Sequence, residues 1–89
     1  MYITYILYSP GYDRYYIGQT NNIKIRLEQH NEGRLSWTKP YRPWILAYQE
    51  EFRTRSEAMR REKYLKSLKN KERIKQYIAG WRSSILPGS

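Results

Sequence analysis

A chain of 89 residues predicts one domain, because folded units usually take roughly 100 to 150 residues and one this short buries only about 60% of its unfolded surface. With 17 Lys and Arg against 8 Asp and Glu, a net charge of +9 and a sequence pI near 9.9, the expected partner is a polyanion, while 16% aromatic content excludes intrinsic disorder. The absence of cysteine excludes disulfides, thiolate zinc sites and a Cys nucleophile. No apolar run approaches the roughly 20 residues of a membrane span, and no basic stretch follows Met1, so a cytoplasmic domain that faces nucleic acid is expected.

Tyr2 to Ser9 is β-branched and aromatic and closes on Ser9-Pro10-Gly11, which predicts a strand and a turn. Arg14 to Gln19 has the same composition, and the short link makes the pair an antiparallel hairpin. Period 2 puts Ile3, Tyr5 and Leu7 on one face of the first strand and Arg14, Tyr16 and Gly18 on one face of the second. Thr20-Asn21-Asn22 supplies N-cap candidates for a helix of about three turns, with Ile23, Leu27 and His30 on one side and a stop at Asn31-Glu32-Gly33. Gly33 to Arg42 reads as a polar loop. A third strand follows from about Pro43 to Phe52, with Trp44, Leu46 and Tyr48 opposed to Ile45 and Ala47. Thr54-Arg55-Ser56-Glu57 has the form of a capping box, so a second helix is expected to run to about Leu68 on the stripe Ala58, Met59, Leu65, Leu68. A break at Lys69-Asn70-Lys71 precedes a short helix from Lys71 to Ile78. The order is ββαβαα, an α/β (α+β) fold with a small antiparallel sheet and packed helices. Residues 1–80 form the domain and 81–89 a C-terminal tail.

Glu62 stands four residues after Ala58 and three before Leu65, on the apolar stripe of the second helix. A carboxylate placed there needs a cation, hydrogen bonds or a metal, and the helix alone leaves a structural ion pair and a metal ligand both open. Arg26 lies at the edge of the first helix's stripe, one turn before His30. The bland readings, a snorkelling arginine and a satisfied half-buried histidine, are also open. With one His and no second ligand nearby, metal binding by His30 is disfavoured. Tyr5 and Tyr16 are either core filler or hydroxyls lining a cleft, and Gly18 permits a close approach. Lys24, Arg34, Lys39 and Arg42 follow the first helix and its loop, and Arg61 belongs to the basic stripe of the second. Together with Trp37 and Tyr41, which offer stacking surfaces, they suit a nucleic-acid backbone. Only one Asp is present, so a cluster of carboxylates for two metals is not expected.

In this order the residues resemble the GIY-YIG endonuclease family, specifically its small single-domain branch related to the nuclease module of the excision-repair machinery. The resemblance runs from about Tyr2 to Ile78. Its anchors are Ile3-Thr4-Tyr5 at the GIY position, Tyr16-Ile17-Gly18 as YIG eleven residues after Tyr5, Arg26, His30 one turn later, and Glu62. The first triplet departs from the motif, keeping only its Tyr.

The resemblance implies a three-stranded antiparallel sheet flanked by helices and hydrolysis of a DNA phosphodiester at a single divalent ion, Mg²⁺ or Mn²⁺, in repair or processing. By that analogy Glu62 is the metal ligand, Arg26 holds the scissile phosphate, Tyr5 activates or orients water, Tyr16 bonds to the metal-water and phosphate network, and His30 assists proton transfer. Cutting both strands needs two sites or two visits, which implies a homodimer or a partner protein supplying specificity. The alternative left open is a nucleic-acid-binding module whose active site is vestigial or partner-dependent, and a third is a module that binds an acidic protein.

Overall fold

In the computed structural model, which describes residues 1–85, the elements are β1 (Tyr2–Ser9), β2 (Arg14–Thr20), α1 (Ile23–Asn31), a short 3-10 turn (Lys39–Tyr41), β3 (Ile45–Phe52), α2 (Arg55–Ser67) and α3 (Lys71–Ile85). They form one antiparallel three-stranded sheet in the order β2-β1-β3, the ββαβαα architecture expected from the sequence. Both expected caps form. Asn22 accepts from the Ile25 N–H at the start of α1, and Thr54 accepts from the Glu57 N–H at the start of α2, each worth about 1 kcal/mol over alanine.

The sheet has two buried faces. On one, Ile3, Tyr5, Leu7 and Trp44 pack with Tyr16, Ile23 and Leu27, so α1 covers this side. On the other, Ile6, Ile17, Ala47 and Tyr48 meet Leu65 from α2 and Ile74 and Ile78 from α3. The Thr4 hydroxyl donates to the Ala58 carbonyl at 2.8 Å, fixing α2 against β1 through a buried hydrogen bond.

Three expectations are corrected. Period 2 puts Tyr48 on the face of Trp44 and Leu46, but the β1–β3 register shifts between Ile6↔Tyr48 and Leu7↔Leu46. Ala47 is thus an extra residue, a bulge, and it turns Tyr48 to the opposite face beside Ile6. Met59, expected on the apolar stripe of α2, is 51% exposed. The terminal helix, expected to end at Ile78 with a tail from 81, continues through Gly80 to Ile85. The Trp81 ring packs edge-on against Tyr48 with centroids 5.2 Å apart, and that tertiary contact offsets the roughly 1 kcal/mol that a helical glycine costs. Residues 86–89 of the expected tail lie outside the described residues.

Candidate active site

β1 and β2 bring Tyr5 and Gly18 directly opposite each other. A Cβ at position 18 would lie 2.7 Å from the Tyr5 hydroxyl oxygen, 2.9 Å from its Cζ and 3.2 Å from Tyr16 Cε1. The missing side chain is therefore what lets the end of the Tyr5 ring lie over Gly18 and places its hydroxyl against β2, an edge strand of the sheet. Sequence reasoning finds the glycine, and the register gives its physical purpose.

The Tyr5 hydroxyl is 3.0 Å from His30 Nε2, and His30 Nδ1 is 2.8 Å from Thr38 Oγ1. The Leu35 carbonyl, 3.3 Å from the Thr38 hydroxyl, offers an acceptor for its proton, and this favours the tautomer in which Nδ1–H donates to Thr38 and Nε2 accepts the Tyr5 O–H. The Thr38 carbonyl in turn accepts from the Trp44 indole at 2.8 Å, and Asn31 bonds the Trp44 backbone N–H and C=O at 2.7 and 3.0 Å. α1, the loop and the start of β3 are thereby locked around the imidazole. Tyr16 closes the group, its ring 6.3 Å from that of Tyr5 and 4.9 Å from the His30 ring.

Burial decides the protonation states. His30 has no exposed surface, and its pKa falls from 6.5 to about 4, first through desolvation and then through the positive charge of Arg26. It is a neutral imidazole at physiological pH. Burial also pushes the Tyr5 phenol up; the neighbouring Tyr16 and the Glu62 carboxylate add to this and Arg26 opposes it. Tyr5 is therefore a phenol and not a phenolate at rest, with its proton aimed at His30.

Arg26 and Glu62 thus stand near enough to Tyr5 for their charges to be felt there, on opposite sides of the sheet: Arg26 on α1 and Glu62 on α2. The Glu62 side chain is 19% exposed and pairs with Lys66 Nζ at 2.9 Å. Its other oxygen is 3.4 Å from the Gln19 amide. The described residues contain no group of three or more His, Cys, Asp or Glu side chains suited to a metal. A divalent ion here would rest on one hard oxygen donor, with water completing its shell. Mg²⁺ accepts that arrangement, and Lys66 would have to yield the oxygen it holds.

The residues expected to bind nucleic acid separate. Arg61 turns away from Glu62 into an aromatic box, donating to the Tyr77 hydroxyl at 2.5 Å and pairing with Glu50 at 3.9 Å. Arg34 pairs with Glu32 at 3.1 Å, and Arg42 donates to the Lys39 carbonyl at 2.9 Å. Lys24 and Lys39 are exposed, and Trp37, at 85% exposure, is the most exposed large hydrophobic side chain among the described residues. Asn70 caps α3, its side chain accepting from the Glu72 N–H at 2.8 Å. Sequence reasoning misses Thr38, Gln19 and Lys66. Lys66 carries a signal, four residues after Glu62 on a helix; Thr38 carries none.

The family model of the GIY-YIG catalytic domain matches residues 1–83. The chain belongs to the GIY-YIG catalytic-domain family. This GIY-YIG domain is similar to a UPF0213 protein of Staphylococcus haemolyticus, 43% identical over 61 residues that span 67% of this chain and 74% of that one. It is also similar to the UPF0213 protein YazA of Bacillus subtilis, 39% identical over 71 residues, 79% of this chain and 71% of that one. Among solved structures, the solution NMR structure of a UPF0213 protein from Bacillus halodurans has the same fold, with a TM-score of 0.56 and 27% identity over 89% of this chain and 84% of that one. No helix among the described residues is long and apolar enough to cross a membrane.

Proposed function

We propose that this GIY-YIG domain is a metal-dependent DNA endonuclease that hydrolyses a phosphodiester at the β2 edge, serving DNA repair or processing in the manner of the branch related to the excision-repair nuclease module. The observation that carries the reading is the polarised hydrogen-bond chain from Tyr5 through His30 to Thr38, set between a cation and a carboxylate.

The Tyr5 oxygen gives its proton to a neutral imidazole, so its lone pairs are free to accept a hydrogen bond from water. As that water attacks phosphorus, its proton passes to the Tyr5 oxygen while the phenolic proton passes to His30 Nε2. No free phenolate forms, which suits a phenol that burial has made a weaker acid. Arg26 binds the scissile phosphate and offsets the charge growing on it. Pairing with that phosphate also offsets the Arg26 charge, the smaller of the two causes that lower His30 after desolvation, so substrate makes the imidazole a somewhat better base. Tyr16 donates to the phosphate or the attacking water. Glu62 would hold a single Mg²⁺ or Mn²⁺, which supplies Lewis acidity to the phosphoryl and leaving oxygens.

Cleavage of a mixed DNA panel with Mg²⁺ or Mn²⁺ tests this. Wild type is expected to cut, and Glu62→Gln and Arg26→Ala are each expected to lower the rate by about 100-fold or more. A Glu62→Gln protein that cuts as fast as wild type would refute the assignment. Salt-sensitive binding without cleavage under any metal would favour the binding-module reading instead.

A further inference from the structure

Beside the Tyr5–His30 cluster lies a groove of about 430 Å³ that shares Tyr16 and Thr38 with it and otherwise stands outside the hydrolytic step. Tyr16 and Tyr41 contribute aromatic walls, Trp37 stands at its lip, and Arg14, Lys69 and Lys71 line it with positive charge. The Trp37 indole is 85% exposed, so it contributes little to the core. The Arg14 guanidinium lies over the Tyr41 ring, 4.3 Å from its centroid, so this wall presents a guanidinium plane backed by an aromatic ring, a surface on which a base can stack. Lys71 pairs with Asp13 at 3.3 Å, and Arg14 and Lys69 add two further positive charges.

We infer that this groove holds an unpaired base of the DNA strand being cut, next to the scissile phosphate. The inference rests on the hydrolysis reading of the adjacent site and specifies its substrate class. In a duplex the faces of the bases are covered by their neighbours, and only edges and backbone are presented; flat aromatic walls are complementary to a base that has left the stack. The basic lining suits the phosphates that accompany it. Position makes the connection to chemistry. Tyr16 is both a wall of the groove and a neighbour of the Tyr5 and His30 rings. Thr38, which also borders the groove, bonds to His30 Nδ1. A strand running from Trp37 past Tyr16 therefore places its next phosphate at the Tyr5 edge. Single strands, flaps and bulges supply such a base, and continuous duplex does not.

Binding in EDTA separates this from cleavage. Intrinsic tryptophan fluorescence of the intact protein is titrated with a single-stranded oligonucleotide of about 15 residues and with its duplex. Wild type is expected to prefer the single strand and to show quenching that Trp37→Phe reduces. Trp37→Ala, at an exposed position that leaves the fold intact, is expected to lower the ratio of single-strand to duplex affinity by about 5- to 150-fold, the range of one lost stacking contact, and Trp37→Phe to retain most of it. Equal losses for both DNAs, or an unchanged ratio, would overturn the inference. Selectivity that depends on Trp37 in a protein that cuts nothing with Mg²⁺ removes the hydrolysis reading and leaves the groove. Metal-dependent cutting with the same strand preference in wild type and Trp37→Ala removes the groove and leaves hydrolysis.

Discussion

The two faces of the sheet each bury a tyrosine almost completely, Tyr5 beneath α1 and Tyr48 beneath α3, and burial raises the pKa of both. They differ in what meets the hydroxyl. Tyr48 donates to Glu50 at 2.5 Å, lies 3.4 Å from the Tyr77 hydroxyl, and is closed over by Trp81. Its partners are themselves tied to Arg61, so the network is internally satisfied even though the Arg61 and Glu50 side chains reach solvent. Among the described residues the Tyr5 hydroxyl has a single hydrogen-bond partner, a neutral imidazole, and this buried bond lies against Gly18 of the edge strand. One residue type at nearly equal burial thus ties a helix to the sheet in one place and, in the proposed mechanism, relays a proton in the other. The surroundings of the oxygen, not the depth of the ring, separate the roles.

The sharpest way to break that comparison is to remove both hydroxyls in turn. Tyr5→Phe is expected to lower the DNA cleavage rate by about 10²- to 10⁴-fold, the usual worth of positioned proton transfer, with a stability loss near 1 kcal/mol by denaturant unfolding. Tyr48→Phe is expected to leave the rate per folded molecule unchanged and to cost about 1 kcal/mol, because the Glu50 carboxylate that loses the bond can turn to water. Equal rate losses in the two variants would erase the distinction.

Acid provides the second test. His30 titrates near 6.5 when unfolded and at about 4 in the fold, so between those values the unfolded chain binds more protons. Stability is therefore intact above pH 6.5 and falls as pH drops towards 4, by an amount on the order of 3 kcal/mol if the full shift is expressed. Urea unfolding from pH 7 to pH 4 is expected to show this slope, and His30→Gln to flatten it. A slope that survives in His30→Gln would assign the loss to other groups.

Glycines give the smallest and most local contrast. Gly18→Ala forces a methyl group against the Tyr5 hydroxyl and is expected to cost roughly 1 to 3 kcal/mol and to impair cleavage along with it. Gly80→Ala meets nothing within 4 Å on a helix and is expected to gain about 0.5 to 1 kcal/mol. Thermal unfolding of the two single variants reads both signs.

Strand and helix positions are legible in the sequence because their signals are local. The Ser9-Pro10-Gly11 turn, the Asn22 and Thr54 caps and the break at Lys69-Asn70 each lie within a few residues of what they control. Tyr5, Tyr16, Arg26, His30 and Glu62 are legible as a set through their order along the chain. Thr38 is not, because its task depends on a loop returning to α1 with the hydroxyl aimed at Nδ1. The bulge at Ala47 is hidden for a related reason: an alternating pattern does not reveal where pairing admits an extra residue. The length of α3 is hidden because Gly80 and the serines after it read as a stop, while the Trp81 contact with Tyr48 that sustains the helix is tertiary.

The strand order has a consequence in time. β1 is first in sequence yet central in the sheet, so Tyr5 sits on a strand whose backbone is paired on both sides only after β3 has been synthesised more than 40 residues later. Folding must therefore wait for that long-range closure. Once closed, the amides of β1 should exchange with solvent only when the whole domain opens, whereas those of β2 can exchange by fraying at the edge. Tyr5 is thus mounted on the most slowly opening strand, while the substrate proposed for it would meet the edge strand beside it.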